Sequence, residues 1–147
     1  MKNILVTGAN GQLGNEMRVL SAEYKEYTCF FTDVAELDIC DEQAVMTFVK
    51  ENNIHVIVNC AAYTAVDAAE EHQEICRKIN VNGTRNIAEV CRDMDIPLMY
   101  FSTDYVFDGQ GENFWKEDDE RQPLNVYGQM KYEGELAVQE LVQKYFI

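Results

Sequence analysis

The apolar positions of the chain switch repeatedly between a continuous run and a helical period. "KNILVTG" is a short apolar run closing on glycine, the pattern of a strand buried on both faces of a parallel sheet. "GQLGNEMRVLSAEY" then places Leu13, Met17 and Leu20 at helical spacing. A second strand, "TCFFTD", ends in Asp33. The next helix, "DEQAVMTFVKENN", opens on the N-cap candidate Asp41 and carries Ala44, Val45, Phe48 and Val49 on one face. "HVIVNCAA" reads as the third strand, Glu74 to Met94 as a long helix, and "LMYFSTDYVF", after Pro97, as the fourth strand. Residues 108–126 form a loop rich in Gly, Asp, Glu and Asn; a helix holding Tyr127 follows, and "YFI" resembles the first residues of a fifth strand.

Strand and helix alternating four times predict an α/β fold, a doubly wound parallel sheet of Rossmann type flanked by helices. In such a sheet the crossovers are right-handed and ligands bind at the carboxyl ends of the strands. No internal repeat, low-complexity segment or linker divides residues 1–147, so one domain is expected. The sequence stops where a strand begins, the pattern expected of a fragment.

Charge narrows the range of partners. Lysines and arginines number 12 against 26 aspartates and glutamates, a formal charge of -14. That balance repels nucleic-acid phosphates and anionic membrane surfaces, so neither is an expected partner. No segment approaches the roughly 18 apolar residues of a membrane span, and the N-terminal run meets a glycine turn too soon for a secretory signal. Cys29, Cys40, Cys60, Cys76 and Cys91 are widely spaced with no C-x-x-C among them, as expected of reduced thiols in a cytoplasmic protein. His55 and His72 lack metal-like partners at suitable spacing, which argues against metal hydrolysis and a Ser/His/Asp mechanism.

The glycine loop carries the first chemical signal. "VTGANGQLGNE" sets Gly8, Gly11 and Gly14 between the first strand and the first helix, with Asn10, Gln12 and Leu13 interleaved. Glycines there permit a tight turn and let the backbone approach a pyrophosphate, whose charge the helix N-terminus favours. Three glycines alone would also suit a plain turn. Asp33, 19 residues beyond Gly14, supplies the acid expected to accept hydrogen bonds from the adenosine ribose. The same carboxylate repels a 2′-phosphate, so a nicotinamide cofactor is expected, with NADH binding at least as well as NADPH.

"NVYGQMKYEGE" adds Tyr127 and Lys131, one helical turn apart and so on one face of their helix. Set beside the glycine loop, this pair makes the chain resemble the extended short-chain dehydrogenases/reductases. Within them it is similar to the dTDP-4-dehydrorhamnose reductase family, through "VTGANGQLG", "VIVNCAAYTAVDAAE", "INVNGTRNIA", "STDYVFDG" and "PLNVYGQMKYEGE" in that order. The combination of "STDYVFDG" with "PLNVYGQMK" is specific, whereas the glycines and the Tyr/Lys pair mark only the wider superfamily.

That resemblance implies reduction of the 4-keto group of dTDP-4-dehydro-L-rhamnose to dTDP-L-rhamnose, a cell-surface polysaccharide precursor. Tyr127 would protonate the carbonyl oxygen as hydride arrives, and Thr103, or Ser102 beside it, would bind the same oxygen. A free tyrosine has a pKa of roughly 10, and Lys131 is expected to lower it while also reaching the nicotinamide ribose. Asp38 and Ile39 match adenine contacts; Ala61, Ala62 and Tyr63 follow the third strand, where the cofactor lies close; Asn80 resembles an asparagine that stabilises this region. Val66, Asp104 and Tyr105 are similar to residues lining the sugar pocket. The partner implied is a nucleotide sugar, with a homodimer compatible. Extended reductases run to about twice this length, so the C-terminal substrate-binding region is expected to be missing.

Rival functions differ at the same positions. A nucleotide-sugar 4,6-dehydratase uses an Asp-Glu pair after the threonine, whereas here Asp104 is followed by Tyr105. Epimerases usually show Ser-x-x-Val-Tyr, from which "STDYVF" departs. A non-catalytic relative, the regulatory beta subunit of methionine adenosyltransferase, works by interaction; intact Thr103, Tyr127 and Lys131 favour catalysis. The run "KEDDER", Lys116 to Arg121, reads as a solvated charge cluster and not as a metal site.

Overall fold

The computed structural model describes residues 2–147. Strand β1 (Lys2–Thr7) leads through the glycine loop into α1 (Gln12–Ser21), followed by β2 (Tyr27–Phe31), α2 (Glu42–Glu51) and β3 (Val56–Asn59). Helices α3 (Val66–Glu71), α4 (Gln73–Arg77) and α5 (Thr84–Met94) precede β4 (Leu98–Tyr100), and α6 (Val126–Leu141) precedes β5 (Tyr145–Phe146). All strand pairs are parallel, in the order β2-β1-β3-β4-β5. The chain therefore reverses its direction of sheet growth between β1 and β3, and the carboxyl ends of those two strands form the switch point where doubly wound sheets bind ligands.

Leu5 and Val6, adjacent on β1, are both fully buried, and adjacent strand residues point to opposite faces. Both faces of the sheet are thus covered. One cluster joins Leu5, Ile57 and Leu98 of the sheet to Val45 and Val49 of α2, Ile87 and Val90 of α5 and Val138 of α6. Asp41 caps α2 as anticipated, its carboxylate accepting from the Ala44 N–H at 2.9 Å. Tyr145 and Phe146 pair with Leu98 and Met99, so the terminal apolar run is a strand.

Several boundaries differ from the pattern reading. The fourth strand ends at Tyr100; residues 101–103 run on without ladder pairing into a 3₁₀ turn over Asp104–Val106. Aromatic and β-branched residues in "FSTDYVF" imitate a strand, but Thr103 caps the turn by accepting from the Tyr105 N–H at 3.2 Å. β2 and β3 likewise stop at Phe31 and Asn59, short of Asp33 and Ala62. The long helix begins earlier and is not uniform. α3, too short to show a period, precedes it, and a π-helical segment, Lys78–Gly83, separates α4 from α5. Single π turns of this kind concentrate at functional sites, and here the segment carries Asn80.

Candidate functional site

A groove runs along the carboxyl ends of β1 and β3. At one end, a cavity of about 370 Å³ is lined by Gly8, Gly11, Asp33, Asp38 and Ile39 together with Ala61 and Ala62. At the other, one of about 540 Å³ is lined by Gly11, Gln12, Leu13, Gly14, Tyr127 and Lys131. Gly11, Cys60, Ala61 and Ala62 belong to both walls, so the two cavities are continuous. The structure brings the glycine loop, the acid and the Tyr/Lys pair, separated by over a hundred residues of sequence, onto one trough.

The glycines let backbone segments approach closely along the trough. Gly8 adopts φ +62°, and a Cβ there would lie 2.6 Å from the Ala61 backbone nitrogen, so only glycine lets the loop rest on the end of β3. A Cβ on Gly14 would fall 2.5 Å from Ala9 Cα. Gly11 stands at the N-cap of α1, which has no side-chain cap and no acid in its first turn. Its first N–H groups and positive dipole end are therefore available to an anion. Asp33 Oδ2 accepts from the Asn10 N–H at 3.0 Å and Oδ1 from the Val34 N–H at 2.8 Å, holding the carboxylate beside the loop. These features fit a dinucleotide.

Pattern reading passed over Asn59 and Cys60, which frame the groove, and the buried Glu135. Asn59 Oδ1 accepts from the Thr7 hydroxyl at 2.7 Å and from the Ala61 N–H at 3.2 Å, which ties the ends of β1 and β3 together. The clue was a polar residue closing the wholly apolar "VIV". Cys60 lies between the two cavities, its thiol pushed up to about 11 by burial. Glu135 is a carboxylate only 2 % exposed; nothing in the sequence separates it from the solvated acids of a helix.

At the Tyr/Lys end of the groove, Tyr127 is 8 % exposed and packs edge-on against Tyr105, ring centroids 5.8 Å apart. Burial raises its phenol above the ordinary value, with the Thr103 hydroxyl opposing the shift. This corrects the expectation that Lys131 lowers it. The Lys131 ammonium turns instead to the Phe101 carbonyl at 2.6 Å and to the Tyr100 ring, 4.2 Å from the centroid. Burial lowers Lys131 to about 8, with Glu135 and then Cys76 acting against the shift. The two hydroxyls after β4 also separate: Ser102 donates to Glu135, whereas Thr103 stands beside Tyr127.

The remaining sites fall around this centre. Asn80 Oδ1 accepts from the Tyr63 N–H at 2.8 Å and its Nδ2 donates to the Tyr63 carbonyl at 2.9 Å. Tyr63 and Val66 pack into the small apolar cluster under Tyr127 and Met130 and do not line the groove. Asp104 and Tyr105 line a separate hollow with Phe107 and Trp115. The acidic run is not wholly solvated, because Arg121 turns inward to Glu135 at 3.3 Å. Among the described residues, no group of three His, Cys, Asp or Glu could hold a metal ion, and no helix is long and apolar enough to cross a membrane.

Comparison with known proteins agrees with this geometry. The dTDP-4-dehydrorhamnose reductase of Aggregatibacter actinomycetemcomitans is 38% identical over 147 residues, 100% of this chain and 50% of its own length. That of Streptomyces griseus is 41% identical over 138 residues, 94% of this chain and 45% of its own. The structure of the Bacillus anthracis dTDP-4-dehydrorhamnose reductase in complex with NADP superposes with a TM-score of 0.95 at 41% identity, covering 100% of this chain and 52% of that one. The chain spans about half the length of the curated relatives it matches. The model of the RmlD substrate binding domain matches residues 1–147, and the chain belongs to that family.

Proposed function

We propose that the chain is the cofactor-binding and proton-donating part of a reductase that converts dTDP-4-dehydro-L-rhamnose to dTDP-L-rhamnose with NADH or NADPH. The observation that carries this reading is Tyr127 and Lys131 lining the same cavity as the glycine loop, with Thr103 beside the phenol. The names of the relatives support the sugar.

Gly11, Gly14 and the N-terminus of α1 would hold the pyrophosphate, Asp33 the adenosine ribose, and Lys131 the nicotinamide ribose. When bound, the reduced nicotinamide supplies hydride to the carbonyl carbon. Tyr127 donates its proton to the carbonyl oxygen, which becomes the hydroxyl of the product, and the phenolate left behind recovers a proton from solvent. A phenol held above its usual pKa is fully protonated at neutral pH, the state an acid needs before the reaction. Thr103, whose hydroxyl opposes the upward shift of the phenol, donates to the carbonyl oxygen to orient it.

The test is dinucleotide oxidation with dTDP-4-dehydro-L-rhamnose, using this chain and the product of its complete reading frame, each with and without Tyr127→Phe. Turnover that falls by about a thousandfold in the variant supports the reading. Saturable dinucleotide binding without turnover in any form overturns it in favour of a binding role.

A further inference from the structure

Lys131, 3 % exposed, and Glu135, 2 % exposed, are buried one helical turn apart on α6. Buried charges are costly unless each finds partners, and those of Glu135 come from two other segments. One carboxylate oxygen accepts from the Ser102 hydroxyl, in the strip leaving β4. The other accepts from Arg121 Nε at 3.3 Å, in the loop between the 3₁₀ turn and α6.

Both partners lead back to the catalytic centre. Ser102 stands between Phe101, whose carbonyl accepts from the Lys131 ammonium at 2.6 Å, and Thr103, which faces Tyr127. Arg121 is itself fixed: Nη1 donates to the carbonyls of Glu117 at 2.6 Å and Asp119 at 2.8 Å, and the guanidinium lies 5.4 Å from the centroid of Phe107. Phe107 stacks on Trp115 at 4.8 Å with ring planes 4° apart, and the Gln122 N–H reaches the Val106 carbonyl at 2.9 Å. The loop thus forms a folded unit whose one inward charge ends on Glu135.

We propose that Glu135 is a positioning residue for the Lys131–Tyr127 pair and that Arg121 couples the conformation of residues 107–125 to it. Arg121 holds the Glu135 carboxylate at 3.3 Å, and Lys131 lies one helical turn before it on α6, its ammonium on the Phe101 carbonyl. The groups facing Lys131 are Glu135 on its own helix, Cys76 on α4 and Tyr100 on β4. Glu135 is the one carboxylate in that set, so the charge of Lys131 depends on it, and the loop governs how fully Glu135 serves Lys131. The catalytic consequence rests on the reductase reading; the electrostatic coupling does not.

The test is an NMR titration of Lys131 in protein labelled with ε-¹³C lysine, expressed from its complete reading frame, with the signal assigned by Lys131→Arg. Glu135→Gln keeps the shape and removes the charge, and should lower the Lys131 midpoint by about one pH unit. Arg121→Met removes the competing cation and should raise it. Glu135→Asp, restoring the charge, should recover most of the midpoint. A merely structural Glu135 would change stability and leave these midpoints in place, so unmoved midpoints in folded variants overturn the inference. If Glu135→Gln does not fold, the upward shift in Arg121→Met decides. In turnover, Glu135→Gln should lower kcat about tenfold with less than about a threefold change in dinucleotide affinity. Full turnover in Tyr127→Phe, with the midpoints moving as stated, would defeat the reductase reading and leave the coupling standing; unmoved midpoints with an inactive Tyr127→Phe would do the reverse.

Discussion

Asn80 and Tyr63 exchange two hydrogen bonds, the Tyr63 N–H to Oδ1 at 2.8 Å and Nδ2 to the Tyr63 carbonyl at 2.9 Å, so one side-chain amide completes the backbone beyond β3. Asn80 is 1 % exposed, so the exchange is made away from bulk solvent. Asn80→Ala strands both Tyr63 backbone groups, each worth about 1–3 kcal/mol when left unpaired. Urea denaturation should show a loss of about 3 kcal/mol. Dinucleotide affinity should fall with it, because Ala61 and Ala62, just before Tyr63, line the groove. Retained stability would show that the pair does not hold the segment.

Two glycines of one loop should fail in different ways. A Cβ on Gly14 meets Ala9 Cα at 2.5 Å and the Gly8 carbonyl at 2.6 Å, both backbone atoms that cannot swing aside. Gly14→Ala should therefore destabilise the fold by about 2 kcal/mol or more. A Cβ on Gly11 meets only the Gly8 carbonyl, at 3.3 Å, so Gly11→Ala should fold almost normally. Its methyl stands where the groove needs bare backbone, and dinucleotide affinity should drop about tenfold. Thermal melts with a fluorescence titration on each variant separate the two effects, and equal melting temperatures would defeat the distinction.

What was legible in the sequence was what neighbours in sequence decide. Gly8, Gly11 and Gly14 sit in one turn, Tyr127 and Lys131 on one helical turn, and Asp33 just past β2, so spacing brought them forward and the family resemblance gave them roles. Glu135 was not legible, because the partners that bury it, Ser102 and Arg121, lie 33 and 14 residues away. Arg121 was hidden in a run of charges whose other members give no inward signal. α3 was missed because six residues of "VDAAEE" show no apolar period. The direction of the Tyr127 shift was misjudged for a related reason: the sequence showed a cation one turn away but not that burial outweighs it or that the ammonium faces Phe101.

The pH dependence should report Lys131 and not Tyr127. Lys131 is lowered to about 8, chiefly by burial, so its ammonium is present below that pH and lost above it. Tyr127 is raised by burial and keeps its proton through the same range. Dinucleotide affinity and kcat should hold level through neutral pH and fall with a one-proton slope above about pH 8. A profile level to about pH 9.5 would show that the charge on Lys131 is not used.

Cofactor choice turns on the charge around Asp33. Its carboxylate lies against the glycine loop, and Glu36 Oε2 accepts from the Asp33 N–H at 2.9 Å, bringing a second acid to the turn. No lysine or arginine occurs between Lys25 and Lys50 to offset them. A 2′-phosphate would meet like charge there, so NADH should bind at least as tightly as NADPH. Asp33→Asn, which keeps an acceptor and removes the charge, should shift the ratio of affinities toward NADPH by about tenfold, or about 1.4 kcal/mol. A similar reductase was solved in complex with NADP, and in this chain the Arg18 guanidinium lies 4.5 Å from the centroid of Phe31, two residues before Asp33. Titrating both dinucleotides against the native protein, Asp33→Asn and Arg18→Met distinguishes the outcomes. NADPH binding tenfold tighter than NADH in the native protein, with that advantage lost in Arg18→Met, would mean that Arg18 reads the phosphate and outweighs Asp33. Equal or tighter NADH binding, with the preference reversed by Asp33→Asn alone, would place the discrimination in the carboxylate.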